Sequence, residues 1–248
     1  VNSIKLSVAL MTVVAMGCGN AATTDAANDA VGCAVTKPAD YDPKIDVANF
    51  VTKFDNKFYP VVEGSVAKVV DPEGNTGEFS VTSDTMVILG VTCRVIHDVA
   101  KTAKGDLLED TLDWVAQDKD GNVWYFGEDT KEYANGKVIS TEGSWKAGVD
   151  CAKPGILMKA HPQVGDSYRE EYHAGDAEDQ ADVLSLDEHV EVPNGSYDHC
   201  LKTKNYTVLA PGMVEEKYYC DGVGEVLAQE VVKVGMGKRE ELVSRTMP

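Results

Sequence analysis

From Tyr59 to the C-terminus the chain runs in short stretches of alternating apolar and polar residues, most of them bounded by glycine-containing turn signals. A period of two puts neighbouring side chains on opposite faces of an extended strand, so each stretch can bury one face and wet the other. In the first half the stretches are 65–70, 78–82, 86–99, 106–117, 122–132 and 137–140. They are separated by Pro72-Glu-Gly-Asn75, Lys104-Gly105, Asp120-Gly121 and Asn135-Gly136. In the second half they are 155–159, 167–172, 183–192, 197–209, 213–220, 223–234 and 240–245, with tight turns at Asn194-Gly195 and Pro211-Gly212. Asn-Gly and Asp-Gly pairs between such stretches favour hairpins. Strand–helix alternation, the signature of a parallel sheet, is not seen. The pattern predicts a mostly β fold: an antiparallel curved sheet, half-barrel or β-sandwich.

Residues 45–58 follow a different period. Ile45, Val47, Phe50, Val51, Phe54 and Phe58 recur at roughly helical spacing, which predicts a short N-terminal helix lying on the sheet. The folded part is expected to be a single β-rich domain over 41–248. Tyr59-Pro60-Val-Val-Glu-Gly64-Ser65 and His161-Pro162-Gln-Val-Gly165-Asp166-Ser167 open strands in the same way. That echo fits two similar halves near 41–150 and 151–248, or equally two unrelated strand openings that use common turn residues.

Ahead of the domain, Lys5 precedes an apolar run from Leu6 to Met16 and then Gly17-Cys18. The run is shorter than the roughly 20 apolar residues that span a bilayer, and it has the layout of a secretory signal. The stretch Val14-Ala-Met-Gly-Cys18 resembles the lipobox of bacterial lipoproteins, with Ala15 where that pattern usually carries Leu. The resemblance implies a signal peptide at 1–17 and a diacylated Cys18 that holds the protein on a membrane. Residues 18–40 then read as the lipidated cysteine and a flexible tether rich in Ala, Thr, Asn and Asp. Gly19 is not the aspartate that favours inner-membrane retention, which points to the outer membrane or cell surface. The alternative is an ordinary secretory signal with a chance cysteine.

Export bears on the six cysteines. No Cys-x-x-Cys pair suggests a zinc ribbon or a thioredoxin-like site, and an oxidising compartment favours disulfides. If Cys18 is acylated, five remain, enough for two bridges and one free thiol. Cys200 and Cys220 fall opposite each other on neighbouring strands, Cys93 and Cys151 are the next candidate pair, and Cys33 is left in the tether.

The net charge of -18 argues against nucleic acid and against electrostatic docking on anionic lipid. It permits cation binding, with Ca or Zn as the candidate ions. Asp118 and Asp120, with Asn122, resemble half of a calcium loop, although Asp-Gly at a hairpin tip explains the same residues. A hairpin around Asn194-Gly195 would pair Val192 with Tyr197, Glu191 with Asp198, Val190 with His199 and His189 with Cys200. His189, Glu191, Asp198 and Cys200 would then share the outward face, where a cation would relieve repulsion between the two carboxylates. A solvated acidic face is the plainer reading. No compact catalytic motif occurs, so no catalytic residue is assigned. Trp114, Trp124, Tyr125, Trp145 and Tyr172 are candidates to line a ligand groove, the alternative being ordinary core packing.

The stretch from Glu109 to Trp114, with Gln117-Asp-Lys-Asp-Gly-Asn-Val-Trp-Tyr-Phe-Gly127 and the Phe-Tyr-Pro at 58–60, resembles the central hairpin of uncharacterised secreted bacterial proteins. That resemblance implies a β-rich exported domain and carries no activity. The expected function is that of a cell-envelope lipoprotein held to the membrane by its lipid, whose non-catalytic β domain binds a small apolar ligand or an envelope protein. A divalent-cation-binding envelope protein and a hydrolase with a dispersed site are the alternatives.

Overall fold

In a computed structural model, which describes residues 41–232 and 237–248, the alternating stretches form strands. The signal segment, Cys18, Cys33 and the tether lie outside the described residues. The first half supplies β1 (Phe50–Val51), β2 (Val66–Val70), β3 (Thr76–Ile88), β4 (Val91–Lys101), β5 (Leu107–Asp118) and β6 (Val123–Ala134). Short pieces follow: β7 (Lys137–Ser140), β8 (Trp145–Lys146), β9 (Lys153–Met158), β10 (Ser167–Arg169) and β11 (Glu171–Tyr172). The second half continues with β12 (Asp179–Val192), β13 (Gly195–Thr207), β14 (Val214–Cys220), β15 (Gly224–Glu230) and β16 (Arg239–Thr246).

Neighbouring strands pair antiparallel in one sheet, ordered β10, β12 to β16, β2 to β6, β9 and β11. Its two edges meet. β10 and β11 are consecutive pieces of one segment separated by Glu170; β10 pairs with β12 at one edge and β11 with β9 at the other. The sheet is thereby an almost closed barrel. Gly155 in β9 permits the close approach this requires, since a β-carbon there would lie 2.2 Å from the Glu170 carbonyl. The Glu170 N–H in turn donates to the Asp179 carbonyl at 2.9 Å.

Residues paired across an antiparallel ladder share a face, so the register reads out the barrel interior. One inward row runs Ala67, Phe79, Asp98, Thr111 and Thr130. The next runs Val81, Ile96, Asp113 and Glu128. Across the barrel, Thr203, Lys217, Ala228 and Glu240 form a third. The interior is thus part apolar and part acidic. The main core gathers Phe58, Val91, Val115, Tyr125, Phe126 and Met158, among others. A second cluster joins Val69, Ala100, Val226 and Leu242 to Val190, Cys200 and Cys220.

Three sequence expectations need correction. The N-terminal helix over 45–58 is absent: the segment holds a three-residue 3-10 turn at Val47–Asn49, then β1, then irregular chain. Its N–H groups have other acceptors, because Asp55 and Asn56 donate to the Gln117 side chain and Phe58 and Tyr59 to that of Asn56. The stretch 86–99 is two strands, folded back at Leu89-Gly90, where both residues take positive φ (51° and 81°). Leucine is a rare residue there, so the turn leaves little trace in the sequence. The hairpin between β12 and β13 turns at Pro193-Asn194, pairing Val192 with Gly195 and Val190 with Tyr197.

The two Pro-Gly strand openings share one hydrogen-bond pattern. The Gly64 N–H donates to the Val81 carbonyl while the Val81 N–H donates to Ser65. Gly165, Val183 and Asp166 repeat the exchange.

Candidate functional site

The segment leading from β1 to β2 enters one end of the barrel. Gln117 on β5 anchors it: its carbonyl oxygen accepts from the Asp55 and Asn56 N–H groups at 2.9 and 3.0 Å, and its amide donates to Asp55 at 2.6 Å. The Asn56 amide also donates to the Gly121 carbonyl at 2.9 Å. So held, the segment places Tyr59 among carboxylates from several walls. Burial first, then Asp113, Glu225, Asp98 and Glu170, push its phenol well above the usual tyrosine value.

Between this segment and the wall lies a cavity of about 630 Å³, counting its open mouth. Ala67, Val69, Phe79, Val81 and Ile96 give it an apolar wall, and Tyr59, Pro60 and Val61 close the other side. Its polar groups are Ser65, Glu225 and Arg245. Arg245 donates from one Nη to the Pro60 carbonyl at 3.0 Å, while its Nε is buried with no hydrogen-bond partner. Burial holds its pKa below the usual arginine value. Gly224 leaves the room this needs, since a β-carbon there would sit 3.2 Å from the guanidinium and 3.3 Å from Pro60. Glu225 is pushed up to about 7 by burial, with the Lys217 ammonium 4.0 Å away pulling the other way. A carboxyl so placed changes charge near neutral pH.

Deeper in the barrel the acids cluster. Asp113 and Glu128 are directly opposed on β5 and β6. Tyr125 donates to one Asp113 oxygen at 2.6 Å; the other Asp113 oxygen, one oxygen each of Glu128 and Asp98, and both of Glu171 are buried without a hydrogen-bond partner. Burial is the main cause that raises all four acids, Asp113 to about 6 and the others well above the carboxylate range. Glu170 accepts from Asn205 at 2.8 Å and is raised to about 8, again by burial first. Lys217 is fully enclosed; burial disfavours its charge, but Glu225 and Glu215 outweigh this and keep it above the usual lysine value. Glu170, Glu128, Glu171 and Asp98 so raised bind protons at neutral pH, while Asp113 does so in mildly acidic solution.

His189, Glu191 and Asp198 do come together. One ring nitrogen of His189 lies 2.6 Å from Asp198 and the other 3.6 Å from Glu191, with all three side chains more than half exposed. The hydrogen bond with Asp198, then that with Glu191, raises the imidazole pKa. The ring is sandwiched by the carboxylates, each facing one of its nitrogens. Among the described residues, no group of three or more His, Cys, Asp or Glu is arranged to hold a metal ion. Cys200 is not on this outward face. A bulge with His199 at positive φ (56°) turns it inward, where it is fully buried.

Cys200 and Cys220 form a disulfide. The second expected pair is not made. Cys93 is a free thiol sealed in the core, pushed up to about 12 by burial, whereas Cys151 lies exposed in a turn and is disulfide-bonded elsewhere.

Asp118 is a turn residue. One oxygen accepts from the Asn122 N–H at 2.9 Å, the other from the Asn122 amide at 2.9 Å and the Trp124 indole at 2.8 Å. Asp120, at the tip, is exposed. Asp71 and Asn75 build the same turn, with bonds of 2.8 and 2.8 Å. The Asp-x-x-Gly-Asn spacing at both places is the sequence signal for this geometry. The aromatic candidates pack rather than line the cavity: Trp114, Tyr125 and Trp145 are buried in the main core, Trp124 sits edge-on to Phe50, and Tyr172 meets Tyr41. Of the cavity's own residues, Tyr59, Pro60, Val61 and Ser65 belong to the strand opening noted in the sequence, whereas Arg245 and the aliphatic wall carried no local motif.

No family model and no curated protein matches the chain. Among solved structures, the chain is similar to one described as a putative exported protein with a YmcC-like fold from Bacteroides fragilis. The two share 14% identity over 77% of this chain and 100% of that one, with a TM-score of 0.46. It is also similar to one described as a putative lipoprotein from Parabacteroides distasonis, at 12% identity over 78% and 100% of the two chains, with a TM-score of 0.42.

Proposed function

We propose that this is an exported, lipid-anchored envelope protein whose β barrel binds a small, mainly apolar molecule without transforming it. The observation that carries the reading is the cavity under the Tyr59–Val61 segment. It has an aliphatic wall, a few polar groups that include Ser65, Glu225 and Arg245, and an opening to solvent. Small-molecule sites commonly combine an apolar lining with a few placed polar groups. The anchor is supported by the run from Lys5 to Cys18. The cation reading has weaker support, because the Asp118 oxygens already accept N–H donors and both His189 nitrogens face carboxylates.

An environment-sensitive apolar dye tests the binding reading. Saturable fluorescence enhancement is expected with the native chain and none with Ala67→Phe, whose ring fills the cavity while circular dichroism stays unchanged. Equal enhancement by both proteins would place the dye elsewhere and defeat the reading. The anchor is tested separately: Cys18→Ala is expected to move the protein from the membrane to the soluble fraction.

A further inference from the structure

The chain carries 41 acidic and 23 basic residues, so a cation inside it rarely lacks a carboxylate. Around the barrel, Lys202 pairs with Glu216, Lys217 with Glu215, and Arg239 with Glu241. Arg245 departs from this. Its hydrogen bond goes to a backbone carbonyl, its Nε is buried and unpartnered, and among the described residues no carboxylate lies within salt-bridge distance of it. A guanidinium presents donors in a rigid fork that matches a carboxylate. Here the fork borders a cavity walled along β2 and β3 by Ala67, Val69, Phe79 and Val81. A counter-ion that fits must bring hydrocarbon with it.

Glu225 limits the ligand's charge. It lines the same cavity, and it faces Lys217, Glu215 and Tyr219 from β14, Glu170 from the closing segment, Glu240 from β16, Asp98 from β4 and the Tyr59 phenol. Most of these groups are acids. With one guanidinium lining the cavity, a dianion such as a phosphate monoester would keep an unmatched charge beside Glu225, whereas a monoanion is matched by Arg245 alone.

We infer that the cavity takes a small apolar monocarboxylate, its carboxylate seated on Arg245 and its hydrocarbon against the β2–β3 wall. This rests on the binding reading above and adds the chemical class of the ligand. Calorimetric titration of the intact chain with octanoate, octanol and octylamine tests it. Octanoate is expected to bind at least tenfold more tightly than octanol, and octylamine not measurably. Arg245→Met is expected to erase the preference for octanoate while leaving octanol binding in place, and Arg245→Lys to keep part of it. If Arg245→Met does not fold, the Lys variant and the three-ligand comparison on the native chain still decide. Octanoate binding no tighter than octanol overturns the inference. A dye that enters the cavity but is not displaced by octanoate defeats this inference and leaves the binding reading standing; a dye that does not enter defeats both.

Discussion

Asp113 on β5 and Glu128 on β6 stand directly opposite each other inside the barrel, and both are shielded from water. Two enclosed carboxyls in register cannot both ionise at tolerable cost, so the pair keeps at least one proton. The unfolded chain has no such constraint and ionises both above about pH 4.3. Raised folded-state pKa values therefore favour folding fully at low pH, and the advantage is lost as pH rises through them. Glu128→Gln is expected to stabilise the protein by about 1–2 kcal/mol at pH 8 and to have little effect at pH 4.5. Urea denaturation at the two pH values measures this, and a larger loss of stability at pH 8 than at pH 4.5 would exclude the shared proton.

Glu225 supplies a pH dependence to the cavity. Burial sets it near 7. Below that value it is neutral and can donate to a bound carboxylate; above it, it is an anion beside one. Octanoate affinity is expected to fall three- to tenfold from pH 6 to pH 8, and Glu225→Gln to flatten the profile. A native profile that is already flat would remove Glu225 from the site.

The cysteines make separable predictions. Cys93 is fully buried and unpaired, so a thiol reagent is expected to label it in denaturant and not in the native protein. Cys200 and Cys220 are 20 residues apart in sequence and closed by a disulfide. Replacing both with Ala is expected to lower stability by about 2–4 kcal/mol, measured by thermal or urea unfolding. Native-state labelling of Cys93 at the denatured rate would contradict the packing of β4.

Asp118 is expected to matter for folding rather than for calcium. Three N–H donors converge on its side chain. Asp118→Ala should cost about 1–3 kcal/mol through donors left without an acceptor, and millimolar calcium should not move the melting temperature of either protein. Stabilisation of the native chain by calcium that disappears in Asp118→Ala would reverse this assignment.

The strands were legible because alternation and Asn-Gly or Asp-Gly turns act locally. The 137–140 stretch coincides with β7, and the Cys200–Cys220 pairing follows from counting back from the turn before Met213. Leu89-Gly90 was not legible, since its left-handed backbone is imposed by the ladder around it. The helix expected over 45–58 failed for a similar reason. Its apolar spacing is real, but its N–H groups are claimed by Gln117, 61 and 62 residues away. The site was the least readable part: Tyr59, Glu225 and Arg245 converge only after the barrel closes, and nothing near any one of them in sequence marks the others.

Closure itself has a further consequence. An open antiparallel sheet ends in rows of unsatisfied N–H and C=O groups, a template on which a second chain can add. Here a segment of six residues, 167–172, occupies both ends at once. A chain that meets its own copies at high local concentration is the one most exposed to edge-to-edge growth. Gly155 guards against it by letting that segment dock. Gly155→Val is therefore expected to yield fibrils or soluble oligomers rather than a monomer with a weakened pocket, a difference that light scattering reads directly.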